Sequence, residues 1–285
     1  MLPGRGADCV HCRLNALSIA AHRSTARPGP QVNRTPYRTR LPAAAAALAV
    51  TLAVTGALLL SILLAWRALS AVDFLYPWLY DALSIDQHIQ EFGPQNRYRK
   101  GFETLSPERH KALFGAIVES INQGGEGLSA LQYQPPGASR PIPLLRPPEV
   151  EHLELVARLV QGVHRAGYAG AGLLAAGVGL LAGLGRVLPR RAAFLGLGVC
   201  AALAGGLALA SFDVGDGGLF AWLHEQVFPP GHQWFFYYQE SLMTTLMKAP
   251  HLFGPVALAL AALTLACFLA LLAGARRLTE WRRER

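Results

Sequence analysis

Two histidines stand among residues that could support acid–base chemistry. His152 follows Glu149 and Glu151 at the head of an apolar stripe formed by Leu153, Val156, Leu159, Val160 and Val163. That spacing predicts a helix over residues 149–165, on which Glu149 and His152, three apart, share one face. His224 lies among Trp222, Leu223, Val227 and Phe228, which partly desolvate an imidazole and tune it as a base. An imidazole changes charge nearest neutral pH, so each residue is a candidate general acid or base. The segment that carries His224, residues 213–249, also holds Asp213, Asp216, Phe220, Phe228, Trp234, Phe235, Phe236, Tyr237, Tyr238 and Glu240. Its aromatic residues alternatively read as a belt at the membrane boundary. His232, beside Gln233-Trp234, is the further histidine that could join this site. His88, His110 and His164 read as solvated, and His251 as interfacial.

These residues must be held by elements suited to lipid. The chain of 285 residues is 52% hydrophobic and 15% charged, with a mean hydropathy of +0.28; soluble domains carry about 25% charged residues. Four stretches, residues 42–66, 166–185, 192–212 and 250–275, contain no Asp, Glu, Lys or Arg. Roughly 20 apolar residues cross the hydrocarbon layer as a helix, and an open strand there would strand its backbone polar groups. The predicted architecture is an all-α membrane protein, a four-transmembrane-helix bundle with an outward-facing, partly helical cap domain. Spans without ionisable residues argue against a transporter or channel. Gly170, Gly172, Gly177, Gly179 and Gly183 in the second span predict close helix packing, including a Gly179-x-x-x-Gly183 element on which a homodimer could form.

Arginine placement sets the expected orientation. Arg5, Arg13, Arg23, Arg27, Arg34, Arg38 and Arg40 precede the first span, Arg186, Arg190 and Arg191 separate the second and third, and Arg276, Arg277, Arg282, Arg283 and Arg285 follow the fourth. The positive-inside rule puts these segments, and both termini, in the cytoplasm. The loop 67–165 balances 10 basic against 11 acidic residues and segment 213–249 has 1 against 4, so both are expected to face outward. The formal net charge of +8 is thereby explained as cytoplasmic anchoring charge, with no nucleic-acid partner. Residues 1–41 read as a basic disordered cytoplasmic arm, and residues 276–285 as a basic tail. The pair in Cys9-Val10-His11-Cys12 has no second pair near it and reads as incidental; Cys200 and Cys267 fall within apolar runs, which excludes a disulfide framework.

Within the outer loop, Ser106-Pro107-Glu108 marks a helix start. Leu113, Phe114, Ile117, Val118 and Ile121 continue it as an amphipathic helix until Gly124-Gly125. Pro135, Pro136, Pro141, Pro143, Pro147 and Pro148 predict an extended connector without regular structure. The helix beginning at Glu149 is expected to run into the second span, with a bend near Gly162 or Gly167, or a tilt, to bring His152 towards the membrane face.

Two short blocks resemble a known family. Glu149-Val150-Glu151-His152-Leu153-Glu154-Leu155-Val156 is similar to an E-x-x-H-M-x-D-V element, and Phe220 to Phe228 with His224 between them, followed by Trp234, Glu240, Leu242 and Pro250, is similar to an F-x-x-x-H-x-x-x-F, W, (D/E)-x-L-I and P series. The family is that of the lipoprotein intramolecular transacylases, four-span proteins of the bacterial cytoplasmic membrane with outward-facing sites. Two departures stand out. Leu153 replaces the usual Met, and Leu155 stands where the family has an acid. Glu154 points about 100° away on a helix and is no direct substitute, so Glu149, Glu151 or another group would have to orient the histidine.

The resemblance implies transfer of an acyl chain from the glyceryl ester of a diacylglyceryl-cysteine lipoprotein to the same cysteine's α-amine. His152 and His224 are then the catalytic pair, one deprotonating the amine and one protonating the departing oxygen, with acyl-histidine transfer as an open alternative. Glu149, Glu151, Arg158, Trp234, Tyr237 and Tyr238 are the substrate-binding or oxyanion candidates. The expected partners are diacylglyceryl-modified lipoproteins and membrane lipids, with no metal and no cofactor. Two other readings stay open: a metal-dependent or serine-independent lipid or lipoprotein hydrolase using His152, His224 and His232 with Asp216 or Glu225, and a non-catalytic lipoprotein-binding scaffold.

Overall fold

The long apolar helices and a layer of shorter helices each have their own hydrophobic core. The computed structural model describes residues 37–192 and 219–285, with 194, 198, 201–202 and 205–206 between them. The Cys9-Val10-His11-Cys12 pair, most of the expected arm, most of the expected third span, Asp213 and Asp216 lie outside the described residues. The chain is mostly helical (71%). Its helices are α1 (Tyr37–Ser70), α2 (Tyr76–Ala82), α3 (Ile85–Phe92), α4 (Pro107–Asn122), α5 (Pro147–Gly183), α6 (Leu219–Val227), α7 (Leu242–Met247) and α8 (Phe253–Glu284). Among the described residues, α1, α5 and α8 are long and apolar enough to cross a membrane.

Glycine lets α1 and α5 approach closely. A Cβ on Gly56 would lie 2.3 Å from the Leu174 nitrogen, one on Gly170 would lie 2.9 Å from the Gly56 carbonyl, and one on Gly177 2.5 Å from the Ala53 nitrogen. Ala49, Ala53, Ala57, Val178, Leu181, Phe268 and Leu272 form the core between these helices and α8. A Cβ on Gly172, Gly179 or Gly183 would meet nothing within 4 Å among the described residues, so the close approach of α1 to α5 does not use these three. Gly177→Ala is therefore expected to destabilise the protein by about 1–3 kcal/mol through overpacking, whereas Gly179→Ala should be neutral or stabilising. Parallel thermal unfolding in detergent checks this, and equal effects would contradict it.

α5 is one helix from Pro147 to Gly183. It continues as α-helix through Gly162 and Gly167, so the expected bend is not marked by any break. Pro147 and Pro148 occupy its first turn, where a missing N–H costs nothing. Its uncharged part begins at residue 166, and residues 147–165, with Glu149, Glu151, Glu154, Arg158 and Arg165, project roughly 28 Å beyond it. At the other end, the Leu188 N–H donates to Thr279 Oγ1 at 3.2 Å and Arg276 Nη1 donates to the Leu188 carbonyl at 2.8 Å. The basic segment after α5 thus rests on the basic end of α8, and residues 276–284 of the basic tail are helical.

The layer of shorter helices packs on the projecting half of α5. Ser106 caps α4 by accepting the Arg109 N–H at 3.3 Å, and Leu113, Phe114, Ile117 and Val118 bury the predicted stripe. Tyr76 stacks on Phe114, centroids 3.8 Å apart, and donates to the Leu246 carbonyl at 2.6 Å, joining α2, α4 and α7. After α1 the backbone of Asp73, Phe74 and Leu75 is left-handed. This turns Phe74 back edge-on against Trp66 at 4.8 Å, while the Trp66 indole donates to Asn122 at 2.9 Å.

Three other expectations need correction. The proline connector is not wholly irregular: β1 (Gln132–Tyr133) and β2 (Ile142–Pro143) pair antiparallel, Gln132 opposite Pro143 and Tyr133 opposite Ile142. Pro143 sits at the end of this two-residue strand, where its missing donor is tolerated. His110 is buried rather than solvated, its Nε2 donating to the Phe102 carbonyl at 3.0 Å and its Nδ1 accepting from the Tyr80 hydroxyl at 2.8 Å.

His88 is also buried, edge-on to Tyr238 at 4.4 Å and against Phe92. Burial, then the charges of Lys248 and His251, push its pKa from 6.5 down to about 4. A depressed histidine pKa means that the unfolded chain binds the proton more readily. This part of the stability is complete above pH 6.5 and is lost as pH falls towards 4. Thermal unfolding from pH 7 to pH 4 is expected to show a smaller fall in Tm for His88→Asn than for the native chain; parallel curves would contradict it.

Candidate functional site

The site is assembled where the foot of α5 meets α6, the aromatic loop after it, and α7. Glu149, fully buried, occupies the third helical position of α5 and accepts the Arg146 N–H at 2.6 Å, which satisfies a donor at the helix start. Its other oxygen accepts from the Ser241 hydroxyl and, at 3.4 Å, from the Met243 N–H. Ser241 in turn caps α7, accepting the Thr244 N–H at 3.1 Å. Burial pushes the Glu149 carboxyl pKa up, opposed by these donors and the Arg146 charge. Glu149 therefore ties α5 to α7 and is occupied there, not on His152.

One turn further along the same face, His152 is 8% exposed. Its ring lies near-parallel to that of His232, centroids 5.5 Å apart and planes 10° apart, and 4.9 Å from Phe228 and 5.9 Å from Phe236. His152 Nδ1 is 3.3 Å from His232 Nε2. The Glu151 carboxylate, itself exposed, lies 3.8 Å from His232 Nδ1. Burial, then the positive charges that His232 and His224 can carry, push the His152 pKa down to about 4, so at neutral pH the ring is uncharged.

His224 is in the last turn of α6, and its carbonyl accepts the Phe228 N–H at 2.9 Å. Its ring lies 4.8 Å from Trp234 and 5.6 Å from Phe228. His152, His224, Phe228 and Trp234 line one cavity of about 400 Å³, together with Phe235 and Phe236 from the same loop. The rest of the wall is apolar: Trp66 from α1 and Phe74 just after it, Phe114 and Ile117 from α4, Met243 and Met247 from α7, Phe253 and Val256 from α8. Thr244 adds a hydroxyl.

The six binding or oxyanion candidates separate. Trp234 lines the cavity. Tyr238 donates instead to the Ala249 carbonyl, and Tyr237 is exposed, packed edge-on against Phe235. Arg158 is exposed on α5 and does not line the cavity. Glu149 is the internal tie, and Glu151 meets His232. These placements share a cause. Spacing on a helix places Glu149, His152 and Arg158 relative to one another, but which of them faces the cavity depends on α6 and α7, distant in the chain. His232 joins the site although it stands outside the expected catalytic pair, and its place after the Pro229-Pro230-Gly231 turn is the signal that points to it; Gly231 takes a φ of 77° there.

Chemically, the cavity offers two imidazoles and an indole at the edge of a hydrocarbon-lined chamber. It is suited to holding an apolar chain with a polar, reactive head beside the histidines. Among the described residues, no three His, Cys, Asp or Glu side chains are grouped to hold a metal ion. No protein-family model matches the chain, and neither a curated protein nor a solved structure does so.

Proposed function

We propose that this protein is a lipoprotein intramolecular transacylase. The observation that carries the reading is that His152 and His224, from segments far apart in sequence, line the same apolar cavity. In the proposed reaction one acyl chain of a diacylglyceryl-cysteine lies in the chamber, its ester carbonyl beside the two rings. The α-amine attacks the carbonyl carbon; one histidine takes the amine proton, the other delivers a proton to the glyceryl oxygen as the C–O bond breaks. A C–N bond replaces a C–O bond, and substrate and product have the same mass. The Trp234 indole N–H is the candidate donor to the oxyanion. The apolar walls exclude water, which would otherwise compete as nucleophile.

The surrounding architecture in this reading is a four-helix bundle, with residues 192–212 as its third span, in a bacterial cytoplasmic membrane. Both termini are cytoplasmic, and residues 67–165 and 213–249 form the outer cap. Support comes from the arginine distribution and from the contact of Leu188 with Thr279 and Arg276. A cysteine introduced at Glu126 should react with an impermeant maleimide added to intact spheroplasts, and one at Arg190 only after lysis. The reverse labelling pattern would overturn the orientation.

The activity is tested by incubating the purified protein with a synthetic diacylglyceryl-cysteine lipopeptide. The expected product is an isomer of unchanged mass whose fragments place one acyl group on the amine and leave a lyso-glyceryl thioether. Loss of one acyl mass would identify a hydrolase instead, and unchanged lipopeptide would support a scaffold.

A further inference from the structure

We infer that His232 is a positioning residue that, with Glu151, fixes the tautomer of His152. Three groups stand in series. The Glu151 carboxylate is 3.8 Å from His232 Nδ1, and His232 Nε2 is 3.3 Å from His152 Nδ1. The His232 side chain is only 5% exposed, whereas that of Glu151 is 71% exposed.

A neutral imidazole carries its proton on one nitrogen only. The negative charge beside His232 Nδ1 favours the proton there, which leaves His232 Nε2 with a lone pair. Two lone pairs facing each other at 3.3 Å would repel, so His152 Nδ1 carries the hydrogen and donates it to His232. The lone pair of His152 is then on Nε2, the nitrogen not engaged by His232, on a ring that lines the cavity. When that nitrogen takes a proton, the positive charge it creates is spread through His232 towards Glu151. The two ring planes are 10° apart with centroids 5.5 Å apart, so the rings lie edge to edge in nearly one plane, as an in-plane N–H···N hydrogen bond requires.

This arrangement supplies what Leu155 cannot. A carboxylate one residue before the histidine on α5 points elsewhere on the helix, and His232 bridges the gap between Glu151 and His152. The tautomer follows from the geometry alone; its catalytic consequence rests on the transacylase reading above.

The test separates the two. In protein labelled with ¹⁵N-histidine and held in detergent micelles, ring nitrogen shifts distinguish protonated from lone-pair nitrogens, with His152 assigned by comparison with His152→Gln. The native chain is expected to show His152 protonated on Nδ1 and bare on Nε2. His232→Ala should redistribute the proton towards Nε2, and Glu151→Gln should do so in part. His232→Gln should preserve the native tautomer, because the amide oxygen can accept from Nδ1 and the amide nitrogen can donate towards Glu151. Lipopeptide turnover should follow the same order, with His232→Ala at least about tenfold slower and His232→Gln close to the native rate. Protonation of Nε2 in the native chain, or a tautomer unchanged by His232→Ala, would overturn the inference. A native protein with the expected tautomer but no lipopeptide turnover would overturn the transacylase reading and leave this one standing.

Discussion

His152→Ala and His224→Ala are each expected to lower lipopeptide conversion by roughly 10²–10⁴-fold, the range that a positioned acid or base contributes. Neither ring can substitute for the other. His152 is buried at the foot of α5 against Phe228 and Phe236, and His224 stands across the loop against Trp234. In the proposed reaction the two act on opposite halves of one step, so the double variant should be only slightly slower than the worse single one. Initial rates measured alongside thermal unfolding separate chemistry from folding. Native rates in both variants would remove the catalytic assignment.

The second large effect is structural. Glu149→Ala takes away the acceptor shared by the Ser241 hydroxyl, the Met243 N–H and the Arg146 N–H, and leaves the largely buried Arg146 without its counter-charge at 3.5 Å. Breaking a buried pair from one side costs about 3–5 kcal/mol. Detachment of α7 would also open the cavity wall at Met243 and Met247. Glu149→Gln keeps the side chain's carbonyl acceptor and should lose much less. Unfolding in detergent, with limited proteolysis near α7, reads both variants. An Ala variant as stable as the native chain would show that the tie between α5 and α7 is dispensable.

Local signals in the sequence are reliable where neighbours on the chain decide the outcome. Ser106 and Pro107 start α4 because a cap and a proline suit the first turn, whatever lies beyond. Glu149 and His152 share a face because three residues make nearly one turn. The proline pair 147–148 is legible as a boundary but not as the first turn itself. Expectations that depend on distant partners fare worse. His88 and His110 are polar residues on helices, and it is Tyr238 before α7, for His88, and Tyr80 and the Phe102 turn, for His110, that bury them. The second span shows glycines along its length, but α1 approaches it at Gly167, Gly170 and Gly177, leaving Gly179 and Gly183 open. His232 is legible as a possible member of the site from the Pro229-Pro230-Gly231 turn before it, but its contact with His152 depends on where α5 lies. The floor of the cavity is likewise assembled from α1, α4 and α8 and has no motif of its own.

The central claim is transfer of an acyl chain within one lipopeptide, and a crossover experiment tests it most directly. Two diacylglyceryl-cysteine lipopeptides are mixed in equal amounts with the purified protein, one bearing ordinary acyl chains and peptide, the other deuterated chains and an isotopically heavy peptide. The account predicts two N-acyl lyso-products, each keeping the mass of its parent, with no light chain on a heavy peptide. Mixed products, deacylated lipopeptide or no conversion at all would each contradict it.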